Sequence, residues 1–145
     1  MSVKGLRILD SEDMVVSIDL PQMLRLVDEG NLLHWAILYV EATGHLGEGL
    51  SILDFENSVN ESFSGLRISW QRLGQLSHRF NQVIDITIIG CRDPNILRRY
   101  ETDQEMYEAC DTVIRMIDSS YWEIHSKDQN LIERCKARFK QVVEL

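Results

Sequence analysis

The side chains able to do chemistry are few in this chain, and their spacing decides what they can do. Histidines stand at His34, His45, His78 and His125, and cysteines at Cys91, Cys110 and Cys135. Local zinc sites announce themselves as CxxC, HxH or HExxH pairs, because the metal needs converging nitrogen and sulfur donors. None of these spacings occurs. His125 reads as a surface or capping residue. A phosphate cradle needs glycines that bring backbone amides close together, and Gly44-His45-Leu46-Gly47-Glu48-Gly49 supplies them. It lacks the Lys-Ser/Thr of a P-loop, and Glu48 would repel a phosphate, so the segment reads as a hairpin loop. The expectation is a protein with neither metal nor cofactor.

Two constellations remain. The first is Cys91-Arg92-Asp93, at the end of the apolar run Val83–Gly90, with Asp85 inside that run. Active-site groups often project from strand ends, and a reactive thiolate needs nearby cations. Arg92, Arg98 and Arg99 are cationic, yet no partnered base is visible and no Cys-x5-Arg loop occurs. Asp85, Cys91, Arg92 and Asp93 therefore form a candidate ligand pocket, with a buried structural thiol and a paired carboxylate as the simpler reading. Asp54 and Glu56 alternate along an expected strand and would share its solvated face.

The second constellation is acidic. Glu101-Thr102-Asp103-Gln104-Glu105-Met106-Tyr107-Glu108-Ala109-Cys110-Asp111 holds five carboxylates and no cation, in a chain of net charge -8. Carboxylates suit a helix's first turn, where they meet the positive end of its dipole. An acidic face can also steer a basic partner. Glu105, Glu108, Thr112 and Arg115 would share one face of a continuous helix. Aromatic residues dominate interface hot spots, and Tyr100, Tyr107, Tyr121 and Trp122 lie close by in sequence. Tyr100, Glu101, Asp103, Glu105, Tyr107, Glu108, Tyr121 and Trp122 are thus the candidate partner-binding residues.

The elements that must position these groups follow from periodicity and caps. Val3–Leu9 and Met14–Ile18 read as strands about the polar turn Asp10–Asp13. Asp19 and Gln22 form a capping box for a helix that Gly30-Asn31 would end. Leu32–Ala42 reads as a buried strand, and Leu50–Glu56 as its hairpin partner across the glycine loop. Asn57–Gly65 looks irregular. Leu66–Ile68 is a short strand before a helix capped by Ser69, with Trp70, Leu73, Leu76 and Phe80 turned inward. Val83–Gly90 is a central strand and Arg92–Asn95 a turn. Thr102 with Glu105 opens a helix burying Met106, Cys110, Val113, Ile114 and Ile117. Ser120–His125 is a strand. Ser126 with Gln129 then opens a helix with Leu131, Ile132, Cys135, Phe139, Val142 and Val143 on one face. The last 65 residues accordingly read strand, helix, strand, helix. The class expected is α+β: one domain over residues 1–145, a mostly antiparallel or mixed sheet, and three to four helices mainly on one face.

Composition bounds the rest. With 145 residues, 44% hydrophobic and 26% charged, the chain can bury a core without metal or disulfide. Residues 1–50 carry net -5, residues 51–100 net +1 and residues 101–145 net -4. Phosphate neutralisation needs a clustered basic face, so nucleic acid is not the expected partner. An odd cysteine count at wide spacing fits reduced thiols. No run approaches the ~20 apolar residues of a membrane span, and no signal peptide is evident, which points to the cytoplasm.

The stretch Tyr100–Lys127, ending Ser119-Ser120-Tyr121-Trp122-Glu123-Ile124-His125-Ser126-Lys127, resembles small bacterial proteins. Some of these are similar to immunity proteins encoded beside secreted antibacterial toxins. The resemblance covers about the last 80 residues and rests on size, acidity and texture. It implies a non-enzymatic inhibitor that plugs a basic toxin nuclease with an acidic face; a monomer or homodimer is expected. A small-molecule pocket or enzyme at Cys91 is the rival. A subunit of a larger assembly, pairing through Leu32–Ala42, is a third reading.

Overall fold

Period-two alternation of apolar side chains draws most of the chain's strands into one antiparallel sheet. A computed structural model describes residues 4–12 and 15–145. Its elements are β1 (Lys4–Ile8), β2 (Ser11–Glu12), β3 (Val15–Val16), α1 (Leu20–Leu24), β4 (His34–Gly44), α2 (Ile52–Asn60), β5 (Leu66–Ile68) and α3 (Trp70–Ser77). They continue with β6 (Phe80–Cys91), α4 (Asp103–Ala109), β7 (Thr112–Ile117), β8 (Tyr121–Ser126), α5 (Gln129–Arg138) and β9 (Val142–Glu144). The main sheet has seven strands in the order β5-β4-β6-β7-β8-β1-β9, and β2 pairs with β3 separately. The fold is α+β, as the sequence predicts.

Each face of the sheet buries its own cluster. On one face Leu6, Ile8, Ile37, Val40, Ile86, Ile88, Ile114, Trp122 and Ile124 pack against Leu20 and Met23 of α1, Leu73 of α3, and Leu131, Ile132 and Cys135 of α5. On the other, Ala36, Leu38, Ile89, Cys91 and Val113 meet Leu97, Met106 and Cys110, so α4 covers only part of that face. Two tryptophans anchor the first cluster. Trp35 stacks on Trp70 with ring centroids 5.0 Å apart and donates its indole N–H to the Gly30 carbonyl at 2.7 Å. The stack leaves no room for side chains at Gly30 or Gly90: a Cβ on Gly90 would lie 2.7 Å from the Trp35 ring.

The outer edge of β4 is closed by side chains. β5 pairs only with Trp35, Ala36 and Ile37. Beyond it the Asn60 side-chain amide accepts the Val40 N–H at 3.0 Å and donates to the Val40 carbonyl at 3.1 Å, as a paired strand would. Glu56 accepts the Ala42 N–H at 2.8 Å, and Arg99 donates to the Leu38 carbonyl at 2.6 Å. Blocking an edge in this way removes a template for unwanted pairing. The segment Leu32–Ala42 is therefore no free pairing edge: β6 runs along its other side.

Several sequence expectations are corrected. Leu50–Glu56 is no strand, and the glycine loop makes no hairpin. Ser51 caps α2 by accepting the Asp54 N–H, adding a fifth helix that takes in Asn57–Asn60. Asp54 and Glu56 consequently lie on that helix. The helix after Asp19 stops at Leu24, well before Gly30. Asp10–Asp13 is not simply a turn, since Ser11–Glu12 is β2, while the Met14 end of the following strand lies outside the described residues and only Val15–Val16 forms β3. Phe80 belongs to β6 rather than α3. α4 ends at Ala109, and Val113, Ile114 and Ile117 stand on β7. Asp128, not Ser126, caps α5, which ends before the strand holding Val142 and Val143. The last 65 residues thus run strand, helix, strand, strand, helix, strand. Among the described residues no helix is long and apolar enough to cross a membrane.

Candidate functional site

Helix α4 is too short to hold itself together, because isolated helices need roughly 12–15 residues even to be marginal. Three attachments fix it on the sheet. Thr102 caps it, with its hydroxyl oxygen accepting the Glu105 N–H at 3.2 Å. Met106 enters the cluster of Ala36, Leu38, Ile89 and Val113, a burial contributing about 1.5–3 kcal/mol. Arg115, rising from β7 beneath, donates to Asp103 at 3.0 Å and to the Tyr107 hydroxyl at 2.7 Å. Burial alone would lower the Arg115 pKa, but the bonds to Tyr107 and Asp103 outweigh it and the pKa rises.

Below Arg115 the sheet face carries a cross-strand row, Thr87–Arg115–Glu123–Arg7. Arg7 donates to one Glu123 carboxylate oxygen through Nε at 3.0 Å and Nη2 at 2.8 Å, and its guanidinium lies over the Tyr121 ring at 4.4 Å. That hydrogen bond raises the Arg7 pKa. The next row holds His125, only 8% exposed. Tyr107 stacks on it at 3.6 Å between centroids and 9° between planes, and a Cβ on Gly5 would collide with its ring. Its Nδ1 has no hydrogen-bond partner among the described residues. Burial lowers the His125 pKa, which favours the neutral ring. The expectation of a surface or capping histidine is corrected: alternation along β8 aims Tyr121, Glu123 and His125 at the α4 side.

The candidate partner-binding residues divide accordingly. Glu101, Asp103, Glu105 and Glu108 are exposed. Asp103 is taken by Arg115, whereas Glu101, Glu105 and Glu108 have no ion pair among the described residues. Tyr100 is half-buried, donates its hydroxyl to the Ile96 carbonyl at 2.7 Å and lies under Arg98. Burial pushes its pKa up to about 12. Tyr107 and Tyr121 are half-buried and serve Arg115 and Arg7. Trp122 is not on this surface: it is 1% exposed in the opposite cluster, with its indole N–H on the Ile18 carbonyl at 2.9 Å. Thr112 and Arg115 are on β7, so they share no helix face with Glu105 and Glu108.

Sequence reasoning missed Tyr39, 41% exposed on the same side of the sheet opposite Thr87. Tyr39, Thr87, Tyr100, Asp103 and Arg115 line a hollow of about 200 Å³ beside α4. The signal available was the alternation of Tyr39 and Glu41 with Leu38, Val40 and Ala42 inside an otherwise apolar run.

The rival set at Cys91 is not brought together. Asp85 and Cys91 lie six residues apart on β6, about 20 Å at ~3.4 Å per residue. Asp85 is half-buried and accepts the Asp118 N–H at 3.2 Å, the backbone donor that a carboxylate inside an apolar run requires. Cys91 is fully buried, and its thiol is pushed strongly up in pKa by a hydrogen bond with Cys110 and by burial. Such a thiol is held protonated and is a poor nucleophile. Arg92 donates its backbone N–H to Asp111, and Asp93 caps the turn Pro94–Ile96 by accepting the Asn95 N–H. A cavity of about 580 Å³ lies on the opposite face among Ile18, Phe80, Val83, Met116 and Trp122.

Comparison with known proteins gives no match: no family model, no curated protein and no solved structure is similar to this chain.

Proposed function

We propose that this is a non-enzymatic binding protein that docks a basic protein through the outer face of α4, as an immunity protein neutralising a basic toxin domain would. The observation that carries this reading is the division of labour among the carboxylates. Asp103 fastens α4 to Arg115, leaving Glu101, Glu105 and Glu108 exposed and, among the described residues, without cations of their own. Unpaired charges on a fixed element steer a partner of opposite sign and raise its association rate more than its final affinity. Asp103 belongs to the scaffold, and Glu101, Glu105 and Glu108 form the docking face.

The test starts with a pull-down from the native host's lysate at low and high salt, from which the retained protein is purified. Reversing Glu101, Glu105 and Glu108 to lysine should leave the fold unchanged and slow association with that protein. A rate unaffected by the reversal removes α4 from the interface.

A further inference from the structure

Phe63 is the most anomalous side chain of the surface. It is 98% exposed, on the short connection between α2 and β5. A large apolar ring in water on a loose loop would be unremarkable, but this loop is braced at both ends. The Arg99 guanidinium donates to the Ser62 carbonyl at 3.0 Å, the Val59 carbonyl at 2.9 Å and the Ser62 hydroxyl at 3.3 Å. The Ser62 hydroxyl donates to the Val59 carbonyl, and the Glu61 N–H donates to Asn57 at 2.9 Å. On the far side Gly65 takes φ +87°, and a Cβ there would come within 2.6 Å of Leu38. The fold thus holds Phe63 out into solvent on an ordered support.

Arg99 also ties this loop to the acidic segment, because Glu101 follows it by two residues. Spent on carbonyl oxygens, the Arg99 charge is turned inward. Of the exposed carboxylates, Glu61 precedes the ring by two residues, and Glu101 follows Arg99, whose guanidinium holds the Ser62 carbonyl beside the ring. The exposed cations nearest Phe63 in sequence are Arg67 and Arg72, and the one nearest Glu101 is Arg98, which lies over the Tyr100 ring at 4.1 Å.

We propose that Phe63 is the apolar anchor of the interface, entering an apolar pocket on a basic protein partner whose rim carries lysine or arginine. The proposal rests on the docking role of α4 and supplies what steering charges lack, a desolvated contact that slows release. Aromatic side chains are enriched at interface cores, and a pre-ordered support reduces the entropy lost on binding. The charge around the ring selects a cationic rim and opposes a second copy of this chain, itself at -8.

The test uses the full chain with p-benzoylphenylalanine replacing Phe63, irradiated in the native host's extract. A second chain carries the probe at Val143, an exposed position on β9. The expected result is one adduct from position 63 alone, mapped to an apolar pocket beside lysine or arginine. Against that protein, purified, Phe63→Ala should weaken binding about thirtyfold or more, a hot-spot loss. Phe63→Leu should lose less, and both should keep the parent melting temperature. Binding by Phe63→Ala within twofold of the parent, with the α4 reversal still slowing association, overturns the anchor and leaves the docking face standing. An adduct at twice the chain's mass overturns it in favour of a self-interface. No adduct and no basic protein bound overturns both.

Discussion

Arg115 and His125 show how single residues decide the character of the site. Arg115 reaches Asp103 and Tyr107 from beneath, so removing it strips partners from two groups on α4. Arg115→Met should cost about 1–3 kcal/mol, read from urea unfolding, with α4 the first segment to lose amide protection. Unchanged protection there would show that Met106 and Thr102 suffice. His125 adds a pH dependence whose sign follows from its lowered pKa. The folded state resists the proton that the unfolded chain accepts near its ordinary pKa of 6.5. The stability from the neutral ring is therefore full above that value and is lost as pH falls below it, toward the depressed folded value. Glu123 on its own strand and Asp103 on α4 oppose the shift, and Arg115 on β7 assists it. Urea midpoints between pH 8 and 5 should fall more steeply for the parent than for His125→Gln. Parallel slopes would mean that the ring protonates freely in the fold.

Elements are where legibility in the sequence differs most. The caps at Asp19, Ser69 and Thr102 mark α1, α3 and α4 because each side chain catches a specific amide, a signal confined to a few adjacent residues. Ser51 with Asp54 carries the same mark, but the mixed apolar run around it also suits a strand, and α2 is hidden until its role along β4 is seen. β7 is hidden for another reason. Met106, Cys110, Val113, Ile114 and Ile117 have helical spacing, and short fully apolar runs cannot be assigned by period alone. The β-branched trio Thr112-Val113-Ile114 is the residue-level hint of a strand. The acidic residues of the site are legible because charge needs no fold to be read. Which carboxylate is anchored and which is free depends on the packing of α4 on β7, which sequence spacing alone does not fix. Edge closure by α2 makes its own prediction. Asn60→Ala leaves the Val40 N–H and carbonyl unpaired on β4 and should cost about 1–3 kcal/mol, with self-association rising in light scattering. A monomer of unchanged stability would show that water satisfies that edge. Gly90→Ala should destabilise by a similar 1–3 kcal/mol, because the rigid Trp35 ring cannot retreat from a Cβ 2.7 Å away.

At the scale of the whole molecule, the sheet is thickly covered on one side by α1, α3 and α5 and only partly covered by α4 on the other. The polar row Thr87–Arg115–Glu123–Arg7 supports the thin side. The net charge of -8 gives the long-range field, and the exposed Glu101, Glu105 and Glu108 concentrate it at α4. We propose that this face captures a basic protein. The most direct measurement is stopped-flow association of the protein retained from the host's lysate, at ionic strengths from about 0.02 to 0.5 M, where the Debye length falls severalfold. The parent rate should drop steeply with salt. The Glu101→Lys, Glu105→Lys, Glu108→Lys chain should associate at least tenfold more slowly at low salt, converging with the parent at high salt. Equal rates for the two chains across the series would contradict the claim.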